Sequence, residues 1–134
     1  MLSASTIIKI EFYHLDPMNI VWHGNYPRFF EQARCVMLDK IGYNYPEMKE
    51  SGYAWPIVDM RIKYIKPLRF GQEIEVTASL IEFENRMKIN YLITDRVTGE
   101  KITKGTTIQV AVSTDTEEMQ FVSPDIFINK VKDL

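Results

Sequence analysis

Between Pro27 and Ile41 the chain carries its one long helical pattern, and nearly everything after it alternates with the period of a strand. Tyr26, Phe30, Ala33, Met37 and Ile41 recur at spacings of four and three and draw a single apolar stripe, with Arg28, Glu31, Asp39 and Lys40 mostly off it. Pro27 suits a first helical turn, where a missing N–H goes unused, and Gly42 suits the stop. A lone helix must bury its stripe, and only a sheet offers a large enough apolar face. The expectation is an α+β protein, one domain over residues 1–134, in which a curved antiparallel sheet wraps a central helix.

The strands follow from local pattern. Thr6 to Tyr13 is rich in β-branched and aromatic residues and reads as a strand ahead of the helix. Tyr45 to Glu50 reads as a short helical turn closed by Gly52. Ile57 to Ile65 puts Val58, Met60, Ile62 and Tyr64 on one face and Asp59, Arg61 and Lys63 on the other. Glu73 to Glu84 keeps Ile74, Val76, Ala78 and Leu80 in phase until the parity flips at Ile81 and Phe83, the mark of a bulge. Met87 to Thr94 aligns Met87, Ile89, Tyr91 and Ile93; Lys101 to Val112 aligns Ile108, Val110 and Val112. Short connections, the Val97-Thr98-Gly99 turn among them, predict antiparallel hairpins. Ser123-Pro124-Asp125 opens a short final helix toward Leu134.

Composition narrows the function classes. Hydrophobic residues make up 46% of the 134, enough for a core without disulfides, and the lone Cys35 leaves none to form within the chain. A net charge of −2 argues against a general nucleic-acid binder. The first residues lack a basic start followed by a long apolar stretch, and no run approaches the ~18 apolar residues of a membrane span. The cytoplasm is the expected location. Two histidines, His14 and His23, without clustered thiols give no metal signature, and no cofactor is expected.

The chemistry concentrates in Asp16-Pro17-Met18-Asn19-Ile20-Val21-Trp22-His23-Gly24-Asn25-Tyr26, directly before the helix. Unpaired N–H groups and a partial positive charge at a helix start are what a developing oxyanion needs. Asp16 supplies a base or nucleophile nearby, although an aspartate before proline is also an ordinary turn residue. His23 is read as a proton carrier, an orienting group or a backbone cap. Gly24 provides the turn and a backbone amide, and Asn25 the cap. Glu31 is a solvated helix residue and a reserve base. His14, at a strand end, is placed toward solvent. Trp22 and Tyr26 belong to an aromatic set, with Phe29, Phe30 and Trp55, that is core first and acyl-pocket wall second. Arg61, Lys63, Lys66 and Arg69, with Arg86 and Lys88 at a hairpin, form either a solvated basic face or a rim for phosphates.

Asp16, Asn19, Val21, His23, Asn25, Tyr26, Phe29 or Phe30, Glu31, Ala33 and Arg34 fill a pattern that resembles the start of the 4-hydroxybenzoyl-CoA thioesterase family. Trp55-Pro56-Ile57-Val58 and Tyr64-Ile65-Lys66-Pro67-Leu68-Arg69-Phe70-Gly71-Gln72-Glu73-Ile74 resemble that family's second strand and the turn into its third. The resemblance implies a hotdog fold, a long helix wrapped by five antiparallel strands. It implies hydrolysis of an acyl-CoA, or of an acyl carrier protein thioester, by an aspartate at the position of Asp16. A backbone amide at His23 or Gly24 would polarise the carbonyl, and the sites would form between protomers of a homodimer or homotetramer. Two other readings are a hotdog hydratase or dehydratase, whose tighter Asp-x-Asn-Pro-x-His signature is absent here, and a non-catalytic acyl or CoA-binding module.

Overall fold

The computed structural model describes all residues, Met1–Leu134. Five strands form one antiparallel sheet: β1 (Ser3–Lys9), β3 (Ile57–Tyr64), β4 (Glu73–Glu82), β5 (Met87–Asp95) and β6 (Lys101–Gln109). Helix α1 (Tyr26–Asp39) lies on one face, against β1 and β4 in particular. Two further helices, α2 (Tyr45–Glu50) and α3 (Asp125–Lys132), and a small two-stranded sheet of β2 (Tyr53–Ala54) and β7 (Val112–Ser113) complete the chain. The arrangement is the expected hotdog.

The order across the sheet is β1-β4-β5-β6-β3, which corrects the expectation of hairpins throughout. Only β4–β5 and β5–β6 are sequential neighbours. β3 crosses to the far edge and pairs with β6, at the opposite side of the sheet from the β1 and β4 strands that α1 packs on. The first strand also ends earlier than expected. It stops at Lys9, and Phe12–His14 is instead a 3-10 turn that brings the chain round toward the helix start.

The stripe is buried as its spacing demands: Tyr26, Phe30, Ala33 and Met37 are at most 2% exposed, and Ile41 closes the row at 8%. Phe29 and Leu38 widen it, and Gly42 ends the helix with φ +63°. From the sheet, Ile74, Val76, Ala78, Leu80, Met87, Ile89, Tyr91 and Ile93 meet it. Leu80 and Glu82 bracket a register shift against β5, where the alternation predicted a bulge.

β6 reverses the face assigned to it. Thr103, Thr107 and Gln109 point into the core, while Ile108, Val110 and Val112 are only half-buried. Two of these inward polar side chains are held by partners: Thr107 bonds the Tyr91 hydroxyl at 2.7 Å, and Gln109 Nε2 donates to the Trp55 carbonyl at 2.7 Å. Between them Gly105 leaves space for the Phe30 ring.

Candidate active site

The loop from Leu15 to Val21 is a tight excursion whose two ends bridge each other. Asp16 N–H donates to the Ile20 carbonyl at 2.9 Å, and Asn19 N–H donates to the Asp16 carbonyl at 3.0 Å. Asn19 sits at φ +60°, a left-handed turn position that asparagine tolerates. Val21 N–H donates to the Leu68 carbonyl and Trp22 N–H to the His14 carbonyl, each at 2.9 Å, so the loop is stapled to its surroundings at both sides.

Asp16 does the work of a turn residue. Its Oδ1 accepts the Met18 N–H at 2.8 Å, which leaves the second carboxylate oxygen without a protein donor. The carboxylate lines a cleft of about 380 Å³ with Met18, Ile20, Val21, His23, Tyr26, Tyr64, Ile65, Lys66 and Pro67. That size is in the range of small-molecule sites. The walls are mostly apolar, and Asp16, His23 and Lys66 are its ionisable groups apart from the two phenols.

His23 and Asp16 share this cleft without a hydrogen bond between them. The imidazole is exposed and tilted 53° against the Trp22 indole, centroids 5.4 Å apart. His23–Asn25 forms a 3-10 turn that runs directly into α1. Neither the His23 nor the Gly24 N–H donates to a backbone acceptor. These are the free donors that the sequence placed at the helix mouth. The Trp22 ring covers Gly24 so closely that a Cβ there would overlap it.

Asn25 corrects its assignment as a cap. Its backbone is already helical and its side chain caps no N–H. The amide instead donates to the His14 carbonyl at 2.8 Å and accepts from Arg28 at 3.3 Å, tying the preceding turn to the helix. Its burial (4% exposed) makes it a brace behind the site. His14 is likewise not a solvent group. Its Nδ1 accepts the Glu11 N–H at 2.8 Å, its ring stands edge-on to Phe29 at 5.3 Å, and burial lowers its pKa below the usual histidine value.

Tyr26 is core and cleft wall at once. Its ring packs edge-on against Tyr64 at 4.8 Å, and burial, with Tyr64 nearby, pushes its phenol up to about 12. Trp22 is half-exposed over Gly24, whereas Phe29, Phe30 and Trp55 are buried. Glu31 stays exposed, 3.8 Å from the buried guanidinium of Arg34. Arg34 was legible only as a member of a motif. In the fold it donates to the hydroxyls of Tyr91 (3.1 Å) and Tyr45 (3.1 and 3.3 Å), which hold its charge inside the protein.

The basic residues separate into two groups. Arg61, Lys63 and Lys88 lie on the sheet face turned away from α1, where Lys101 and Lys104 join them, and Lys63 stands directly opposite Lys104 in the register. A broad concavity of about 560 Å³ opens there, over Thr77, Ser79, Asn90 and Thr106. Alternation alone had pointed to Arg61 and Lys63; Lys104 was hidden by the reversed β6 face, and a register shift at the start of β6 brings Lys101 to the same face. Of the others, Arg86 pairs with Glu82 at 3.0 Å and Lys66 with Glu100 at 2.7 Å, while Arg69 is exposed and its backbone N–H donates to the Gln72 side chain. Tyr64 is a cleft residue that the sequence presented as an apolar member of a strand and the first residue of a family-like run, with no part in the site.

Comparison with known proteins agrees with this fold. The family model described as the thioesterase-like superfamily matches residues 10–129. "Putative acyl-CoA thioesterase YneP" of Bacillus subtilis (strain 168) is 36% identical over 84 residues, 63% of this chain and 60% of that one. The chain spans about three-fifths of the length of the curated relatives it first matches, 60% and 64%. Among solved structures, a DHNA-CoA thioesterase from Staphylococcus aureus superposes with a TM-score of 0.86 at 25% identity, covering 99% of this chain and 88% of that one. A 4-hydroxybenzoyl CoA thioesterase shares the fold with a TM-score of 0.84 at 20% identity, covering 97% and 99%. No helix of the chain is long and apolar enough to cross a membrane. With its sheet, its central helix and nearly all its length matched by one family model, the chain belongs to the thioesterase-like superfamily.

Proposed function

We propose that the protein hydrolyses an acyl-CoA thioester to the free acid and CoA, with Asp16 as the group that acts at the carbonyl. The observation that carries this reading is a carboxylate with one oxygen free of protein donors, set in a mostly apolar cleft that His23, at the start of the turn into α1, also lines. Asp16 either attacks the carbonyl carbon, giving a mixed anhydride that water then opens, or takes a proton from the attacking water. In both routes the C–S bond breaks and the thiolate of CoA leaves. The free N–H groups of His23 and Gly24 stabilise the oxyanion, and the His23 imidazole orients the thioester or carries a proton. Met18, Ile20, Val21, Tyr26 and Trp22 take the acyl group. Arg61, Lys63 and Lys88, with Lys101 and Lys104, supply positive charge for the phosphates of CoA.

A second copy of the chain belongs to this reading. β3 is an edge strand, and its Val58, Met60 and Tyr64 leave 43–56% of their surface in solvent. An exposed, apolar edge is a liability unless another strand covers it. Pairing two copies along β3 covers it and places the partner beside the cleft residues Tyr64 and Ile65.

The test is Asp16→Asn, assayed on a panel of acyl-CoA esters. General-base or nucleophile loss lowers the rate by about 10²–10⁴-fold. Wild-type rates with an intact fold would remove Asp16 from the reaction.

A further inference from the structure

Tyr64 is the last residue of β3, and its hydroxyl donates to the backbone carbonyl of His23, O···O 3.1 Å. We propose that Tyr64 is a positioning residue for the His23–Gly24 peptide and thereby sets the direction and strength of the Gly24 N–H as an oxyanion donor. The inference rests on the hydrolytic reading of this cleft and names a residue to which that reading gave no catalytic part.

Three observations converge on this peptide. Tyr64 holds its carbonyl from the sheet side. The Trp22 indole covers the Gly24 α-carbon from another side, leaving no room even for a methyl group. The Gly24 N–H, the donor of this peptide, is without a backbone acceptor. A peptide is planar, so fixing its carbonyl fixes the direction of its N–H, which points the opposite way. A hydrogen bond accepted at the carbonyl also polarises the unit and strengthens its N–H as a donor. Without Tyr64, the peptide joining a tight loop to a helix would be free to rock, and a donor that must meet a developing charge cannot rock.

The side chain itself is well held. Its ring stands at 85° to Tyr26, centroids 4.8 Å apart, and Tyr26 is buried. Tyr64 is paired with Thr103 in the β3–β6 register, so its height along the strand is set by the sheet. The clamp therefore joins the far sheet edge to the mouth of α1, two elements that sequence separates by the whole of the helix and α2.

The decisive variant is Tyr64→Phe, which keeps the ring and removes the hydroxyl. Losing one hydrogen bond of this kind lowers kcat by about three- to tenfold. KM stays unchanged, because the phenyl ring still lines the cleft. In ¹⁵N-labelled protein the Gly24 amide nitrogen shifts upfield as the hydroxyl on its peptide's carbonyl is lost, while amides in β4 and β5 stay in place. An unchanged kcat, or a change confined to KM, overturns the proposal. So does an unmoved Gly24 resonance. If the wild type hydrolyses no thioester, the hydrolytic reading falls on its own, and the Gly24 resonance alone decides whether Tyr64 holds the peptide.

Discussion

Tyr91 lies flat against Phe30, ring centroids 4.4 Å apart and planes 11° from parallel. The stack joins the middle of α1 to the middle strand of the sheet and fixes how closely helix and sheet approach. Gly105, cross-strand from Tyr91, is the concession it requires: a Cβ there would come within 2.5 Å of the Phe30 ring and 3.2 Å of the Arg61 carbonyl.

Gly105→Ala therefore overpacks the core, at a cost of about 1–3 kcal/mol. The urea midpoint measures it. Adding Phe30→Leu recovers part of the loss, and a double variant no better than the sum of the two singles would mean the ring is not what the methyl meets.

Arg34 is buried at 4% exposure and its charge rests on the hydroxyls of Tyr91 and Tyr45, with Glu31 at 3.8 Å. Despite the cost of burial, those phenols raise its pKa further. Arg34→Ala removes these bonds and opens a cavity, for a loss of about 2–4 kcal/mol. Tyr91→Phe is expected to lose less, since Tyr45 remains as a partner. Equal denaturation curves for Arg34→Ala and wild type would contradict this account.

His14 predicts an acid-side weakness. Unfolded, the imidazole titrates near 6.5; in the fold burial lowers its pKa, so the unfolded chain binds the proton more readily. Its contribution to stability is complete above about pH 7 and is lost as pH falls from 6.5 through the folded value. Protonation also removes the Nδ1 acceptor that the Glu11 N–H uses. The His14 ring resonances are expected to titrate below 6.5, and His14→Asn to flatten the acid limb of the stability curve. A midpoint at or above 6.5 would contradict both expectations.

The half-exposed apolar residues of β3 make a prediction about assembly. Met60→Lys puts a charge on the edge that a second copy would cover. It is expected to shift mass in light scattering toward the monomer and to lower thioesterase activity in parallel. A wild type that is monomeric and fully active would refute the shared-site reading.

Gly24→Ala addresses the helix mouth. The new methyl cannot coexist with the Trp22 ring, so the indole must move and its fluorescence shift. Trp22→Ala in the same chain removes the conflict and restores the denaturation midpoint of Trp22→Ala alone. An unchanged spectrum in Gly24→Ala would show that the ring does not rest there.

The stripe through Tyr26, Phe30, Ala33, Met37 and Ile41, and the alternation in β4 and β5, were legible because burial on one face imposes a period. Asp16, His23 and Gly24 were legible as neighbours in a short segment. The amino-acid order by itself thus determined the helix, four of the strands of the sheet nearly to their ends, and the loop that carries the carboxylate. Only the tertiary structure decided that β3 crosses to the far edge, that Thr107 and Gln109 rather than Ile108 and Val110 turn inward, and that Tyr64 reaches the carbonyl of His23. Periodicity is a property of one segment against one apolar face. Which polar side chain finds a partner inside, and which strand edge meets which helix end, is settled by groups far apart in the chain, and no local pattern records them.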